Sequence, residues 1–133
     1  MAQVNQLAAT YLLDVPVHNY GGSDLAEGVA VILDTTNTGG ANTAPGVMLP
    51  ASSAKSIGFL PSAIPAGKSG VMRVYGIASG IASATVHVGD VLMVDTAGKV
   101  LPQTAGLHQI GIAFSEAVAN DRVLVLIERA KNA

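Results

Sequence analysis

The sequence has 133 residues, of which 50% are hydrophobic and only 12% are charged, with a net charge of −2 and no cysteine. This length predicts one domain, the lack of cysteine excludes disulfides and thiolate metal sites, and so small a net charge excludes electrostatic steering toward nucleic acid or a membrane. Because a typical soluble domain is about 25% charged, the deficit indicates either a surface partly covered by partner proteins or a compact monomer with a Ser/Thr/Asn/Gly surface.

Residues 1–22 are predicted to form an extended N-terminal arm that ends at the turn cluster of residues 19–22. Proline restricts its neighbours to extended backbone, and the arm is too apolar for a free tail, so we expect it to lie on a protein surface. Its first residues have no basic region and no long apolar core, and they are not expected to act as a signal peptide. The candidate contact residues of the arm are Val4, Leu7, Tyr11, Leu12, Val15, Pro16 and Val17.

Residues 23–133 are predicted to form a single β domain. Its first half has three short apolar runs separated by Gly, Pro and Asn, which is the punctuation of strands and turns. A Thr/Gly/Asn-rich stretch at residues 35–46 is predicted to be a long loop, and residues 51–55 have the pattern of a single helical turn. The predicted strands of this half are residues 29–34, 47–50 and 57–60.

The strongest local pattern is a hairpin at residues 90–101, where two β-prone runs flank a turn and Gly98 supplies a positive φ. Further strands are predicted at residues 70–77, 85–88, 109–115 and 122–128. Seven or eight short strands predict an all-β fold, either a small compact β-barrel or a β-sandwich. No internal repeat is evident in the sequence.

Two of these runs, residues 91–94 and 123–127, are apolar at every position. Antiparallel strands with one face in water alternate apolar and polar residues. These strands are therefore predicted to bury both faces, either inside the fold or at a subunit interface.

A phosphate-binding loop is excluded at Gly67-Lys68-Ser69. The first glycine of that motif is replaced by Ser62, and a strand follows where the motif requires a helix. The three remaining features that could carry chemistry also fail their spacing tests. The histidines are scattered, no nucleophile elbow is present, and Asp90 and Asp95 lie on opposite faces of a strand as turn residues. We predict no catalytic, cofactor-binding or metal-binding residue.

The second half resembles the small capsid decoration, or cement, proteins of tailed bacteriophages. The resemblance lies in a sequence of strand and turn types, namely GVMRVYGIA at residues 70–78, VHVGDVLMVDTAGKV at 86–100, IGIA at 110–113 and RVLV at 122–125. It implies a non-enzymatic virion protein, assembled in the host cytoplasm, that binds the major capsid protein on the capsid exterior as a homotrimer and stabilises the shell. It also implies that the N-terminal arm clamps capsid subunits, which would make the seven arm residues capsid contacts.

Two alternatives remain at this stage. The chain could be a non-enzymatic β-sandwich that binds a host glycan or protein. It could also be a small enzyme on a β-barrel, with Asp or His residues converging from loops, although no spacing in the sequence favours this. The leading hypothesis has no cofactor, no nucleic acid and no membrane as partner.

Overall fold

The computed structural model describes residues 12–36, 43–50, 56–104 and 108–128. Within these ranges the chain forms strands and no helix, which confirms the all-β prediction. The strands are β1 (Leu13–His18), β2 (Ala30–Leu33), β3 (Val47–Met48), β4 (Gly58–Phe59), β5 (Ser69–Tyr75), β6 (Ile77–Ile81), β7 (Val91–Val94), β8 (Val100–Pro102), β9 (Gly111–Ala113) and β10 (Arg122–Ile127). The helical turn predicted at residues 51–55 lies outside the described residues.

The strands form two five-stranded antiparallel sheets. The first sheet has the order β1-β5-β4-β2-β3 and the second has the order β6-β10-β9-β7-β8. In each sheet a single parallel bridge connects the two ends of this order, between His18 and Gly46 in the first and between Ala82 and Val100 in the second. Both sheets therefore curl toward a small barrel, with the buried side chains of each repeat's own core on the concave side.

Adding five to each strand number of the first sheet gives the order of the second sheet. The chain therefore contains two copies of one arrangement of five strands, which is an internal repeat. We call residues 13–75 the first repeat and residues 77–127 the second repeat. The expectation of no internal repeat was therefore wrong. The repetition lies in backbone pairing and turn position, and it is obscured in the sequence because residues 35–45 of the first repeat stand where the second has a tight turn at residues 96–98.

Matched backbone details support this equivalence. Leu25 and Ile64 exchange two backbone hydrogen bonds in the first repeat, as Val86 and Ala117 do in the second. Left-handed turn residues also recur in matched places, since Gly28 and Gly89 have φ of 88° and 90°, and Gly67 and Asn120 have φ of 74° and 71°. A left-handed turn position requires a residue that tolerates positive φ and requires little else of its side chain. The two repeats can therefore share a fold although their sequences have little identity.

Each repeat has its own core, but the two cores differ in how they are filled. The first core contains only residues of the first repeat. The second core contains the second repeat's apolar residues together with Ala30 and Phe59 of the first repeat. The Phe59 ring reaches into the second repeat, where its Cε1 lies 3.1 Å from the place that a Cβ on Gly80 would occupy.

The sizes of equivalent side chains explain this asymmetry. Val17 is paired with β5 at the position where Gly80 is paired with β10, and Met72 is equivalent to Val125. At this pair the glycine changes strand, since Val17 faces Gly70 in the first repeat and Gly80 faces Val123 in the second. Ile64 of the same repeat lies against Gly70, whereas the space beside Gly80 is filled by Phe59 from the other repeat, in keeping with the dense packing of protein interiors.

Three sequence predictions need correction. The strand predicted at residues 70–77 is broken at Gly76, whose φ of 98° lets the chain leave one sheet and enter the other. Residues 85–88 form only a single bridge at Val86. Strand β10 alternates between buried and more exposed side chains, and Leu124 is 47% exposed. Burial of both faces inside the fold is therefore wrong for this strand, and burial at a subunit interface stays a prediction.

Candidate functional site

The described residues hold no cluster of three or more His, Asp or Glu side chains able to bind a metal ion. No helix within the described ranges is long and apolar enough to span a membrane. Asp90 and Asp95 are turn residues, as predicted. The Asp90 carboxylate accepts the backbone N–H of His87, and the Asp95 carboxylate accepts those of Ala97 and Lys99. The surfaces that remain as candidate sites are apolar.

The predicted arm is described only from residue 12 onward, and Val4, Leu7 and Tyr11 lie outside the described residues. Residues 13–18 form strand β1, which pairs with β5 at the edge of the first sheet. Leu12 and Pro16 are exposed and Val15 is half-buried, but Val17 is completely buried in the first core. The side chains of Leu12 and Pro16 are therefore available to a partner, and that of Val17 is not.

An apolar groove of about 700 Å³ lies at the junction of the two repeats. It begins where the described chain begins, at Leu12, and extends along the passage from β5 to β6. Its lining is Leu12, Tyr75, Gly76, Ile77, Leu126, Ile127 and Glu128. Glu128 is the one charged residue in this lining, so the groove can accept an apolar segment at little cost in desolvated charge.

An ion pair lies beside the groove and connects the strands around it. Arg73 Nε donates to Asp14 Oδ1 at 2.8 Å, and Arg73 Nη2 donates to Asp14 Oδ2 at 3.1 Å. The third guanidinium nitrogen, Nη1, lies 3.3 Å from the carbonyl oxygen of Ile77. Hydrogen bonding to Arg73 holds the pKa of Asp14 below its usual value, so the pair stays charged at neutral pH. Strand β1, strand β5 and the start of β6 are thereby fixed around the groove.

A row of apolar side chains continues from the groove across the convex surface of the second repeat. Ile77 is paired with Leu126, Leu126 with Ile112, and Ile112 with Val91. Paired residues on antiparallel strands point to the same face, so the row crosses four strands without a charged residue. Leu124 lies two residues before Leu126 on β10, so its side chain is on the same face. We call Val91, Ile112, Leu124 and Leu126 the outer face of the second repeat.

Sequence reasoning located part of this surface. The uniformly apolar runs at residues 91–94 and 123–127 indicated strands apolar on both faces, and their outward side chains contribute Val91, Leu124 and Leu126. The groove was missed. It depends on the proximity of Leu12, Tyr75 and Leu126, which are distant in the sequence, and no local pattern could have indicated it.

A second polar contact connects two loops of the second repeat. His87 Nδ1 lies 2.9 Å from Glu116 Oε1, and the backbone N–H of Val88 donates to the other carboxylate oxygen. The hydrogen bond with Glu116 raises the pKa of His87 and lowers that of Glu116. Both side chains are fully exposed, which makes this a weak, salt-sensitive contact.

Comparison with known proteins gives one family and one similar fold. A family model described as phage cement protein matches residues 27–128, which is most of the chain. A solved structure entitled "The crystal structure of head fiber gp8.5 N base in bacteriophage phi29" is similar with a TM-score of 0.70 and 17% sequence identity, over 90% of this chain and 97% of that chain. At that identity the similarity shows the fold alone. No curated protein matches the sequence closely enough to count as a relative.

Proposed function

Because the chain belongs to the phage cement protein family, a family of structural virion proteins, we propose that it binds the outer surface of a phage capsid and stabilises the shell without catalysing a reaction. Its partner is the major capsid protein, and it acts as a homotrimer. The fold shared with a phage head fiber base is in keeping with this proposal.

The observation that carries the proposal is the apolar groove at the start of the described chain. Leu12 is 43% exposed and Ile77 38% exposed, and an apolar segment of the capsid subunit would cover both. Full burial of such a side chain is worth about 1.5–3 kcal/mol, and covering the exposed part of each adds a fraction of that value. The groove therefore contributes to binding together with the contacts of the arm, since association itself costs free energy. Beside this groove, Arg73 connects Asp14 of β1 to the carbonyl oxygen of Ile77 at the start of β6.

The arm residues take part in the same contact. We propose that Val4, Leu7, Tyr11, Leu12 and Pro16 face the capsid subunit, with Val15 partly so. Strand β1 lies at the edge of its sheet, and an edge strand can pair with a strand of another protein. Val17 is left out because its side chain packs in the core of its own chain.

Co-sedimentation with capsids tests the proposal. Two variants are compared with the full chain: deletion of residues 2–11, which leaves β1 intact, and the double substitution Leu12→Asp with Ile77→Asp. Each is expected to weaken capsid binding at least tenfold, because one removes arm contacts and the other places charge in the apolar groove. Thermal melting checks that both variants remain folded.

Val118→Asp is the matched control, since Val118 is 57% exposed on a loop that does not line the groove. It should bind capsids as the unchanged protein does. If the deletion and the groove variant both bound as tightly as this control, the proposed contact would be wrong. If no form of the protein bound capsids or slowed their heat disruption, the cement function itself would be wrong.

A further inference from the structure

The internal repeat gives every surface of one half a counterpart in the other half. Ala30 and Phe59 are paired across β2 and β4 on the convex side of the first repeat. Their counterparts, Val91 and Ile112, are paired across β7 and β9 of the second. The two convex surfaces can therefore be compared position by position.

The first of these surfaces is covered and the second is not. Ala30 and Phe59 are 0% and 1% exposed because the second repeat packs over them. Val91 is 37% exposed and Ile112 is half-buried, so the described part of the chain leaves them uncovered. Large apolar side chains left uncovered in a row indicate a protein contact.

The residue exchanges at this surface make the uncovered side more apolar along β10. Arg73, which forms the ion pair with Asp14, has Leu126 as its counterpart, and Val71 has Leu124. The first repeat thus has a charged residue where the second has Leu126, and it has an exposed Val71 where the second has Leu124. A leucine at this position can be buried against another protein without desolvating a charge.

We propose that the outer face of the second repeat packs against the same face of neighbouring copies of this chain. In the first repeat, the counterpart of this face is covered at Ala30 and Phe59 by another unit of the same fold, which favours a further copy as the occupant of the outer face. The face carries no charged residue, so bringing identical faces together creates no like-charge repulsion.

A neighbouring copy cannot simply reproduce the contact made inside the chain. That contact needs the space beside Gly80, and Val17 occupies the equivalent space in the first repeat. Overfilling a packed core is destabilising. In the proposed contact the copies instead meet through Val91, Ile112, Leu124 and Leu126, without insertion of a ring.

Sedimentation velocity over a range of protein concentrations tests this contact. The unchanged protein is expected to self-associate, and Leu124→Asp should raise the dissociation constant at least tenfold. Val71→Asp is the matched control, because Val71 is the counterpart of Leu124 and is similarly exposed at 41% against 47%. It should self-associate as the unchanged protein does.

A monomeric unchanged protein at every concentration, or equal effects of the two substitutions, would overturn this inference. A mass of three chains would agree with the proposed homotrimer, whereas a mass of two would support the contact and contradict the trimer. Capsid co-sedimentation separates this inference from the proposed function. If Leu124→Asp abolished capsid binding and left self-association intact, the outer face would contact the capsid and the inference would be wrong.

Discussion

At the scale of single residues, the ion pair with a testable pH dependence is the exposed pair of His87 and Glu116. The pair joins the loop before β7 to the loop after β9, and the backbone N–H of Val88 adds a second hydrogen bond to the same carboxylate. Since both groups are fully exposed, the pair contributes little to the stability of the fold. Its formation depends on the two loops lying close together.

The two pKa shifts have opposite signs and define a pH window. The pKa of His87 is raised above 6.5, so its contribution is complete below pH 6.5 and is lost as the pH rises through the folded-state pKa. The pKa of Glu116 is lowered below 4.5, so its contribution is complete above pH 4.5 and is lost as the pH falls through the folded-state pKa. The contact is therefore fullest between these two values.

An NMR titration of the His87 imidazole protons checks this prediction. In the unchanged protein the apparent pKa should exceed 6.5, and Glu116→Gln should move it back toward that value because the carboxylate that stabilises the imidazolium is gone. Added salt should reduce the shift. An unchanged His87 titration in Glu116→Gln would show that the contact does not form in solution.

At the scale of elements, the turn of the β7–β8 hairpin also contacts the first repeat. Its turn residue Gly98 has a φ of 77°, and its carbonyl accepts the backbone N–H of Ala30 in the first repeat at 2.8 Å. A Cβ on Gly98 would lie 2.7 Å from the Ala30 carbonyl oxygen and 2.9 Å from Val29 Cβ. The hairpin turn is therefore a contact between the repeats.

Two glycine substitutions separate these roles. Gly67→Ala meets only the strain of a positive φ, because nothing lies within 4 Å of its new Cβ, and it should cost about 1–2 kcal/mol of unfolding free energy. Gly98→Ala has the same strain and also collides with the first repeat, so it should cost more. Chemical denaturation measures both, and equal losses would mean that the turn does not bear on the first repeat.

At the scale of the whole molecule, Phe59 connects the two repeats by packing in the core of the second. Its ring completes the core of the second repeat in the space beside Gly80, while the first repeat fills its own core. Separate folding of the second repeat is therefore disfavoured, because it would leave a cavity where the ring belongs.

A double-mutant cycle tests this packing. Phe59→Ala should cost about 3–5 kcal/mol of unfolding free energy, and Gly80→Val should also destabilise, because its side chain meets the ring. Combined, the two should cost less than the sum of the single losses, since valine then occupies the space that the ring vacates, as Val17 does in the first repeat. Additive losses would place Phe59 and Gly80 out of contact.

Much of the local structure could be predicted because it depends on neighbouring residues. The hairpin around Gly98 was predicted and is confirmed, since a glycine with positive φ and two flanking β-prone runs specify a turn locally. The break at Gly76 was not predicted. The residues around it are equally suited to one continuous strand, and only the packing of two sheets requires the chain to turn there.

The sequence by itself determined the β composition, the tight turns, and the family pattern over the second half. It also indicated that residues 123–127 and 91–94 have two apolar faces. The tertiary structure alone decided that the chain is two equivalent repeats, that β1 with Val17 belongs to the first core, and that Leu12, Tyr75 and Leu126 form one groove. Turn and strand preferences act between neighbours in the sequence, whereas pairing of distant strands and the filling of a shared core depend on which surfaces meet in three dimensions.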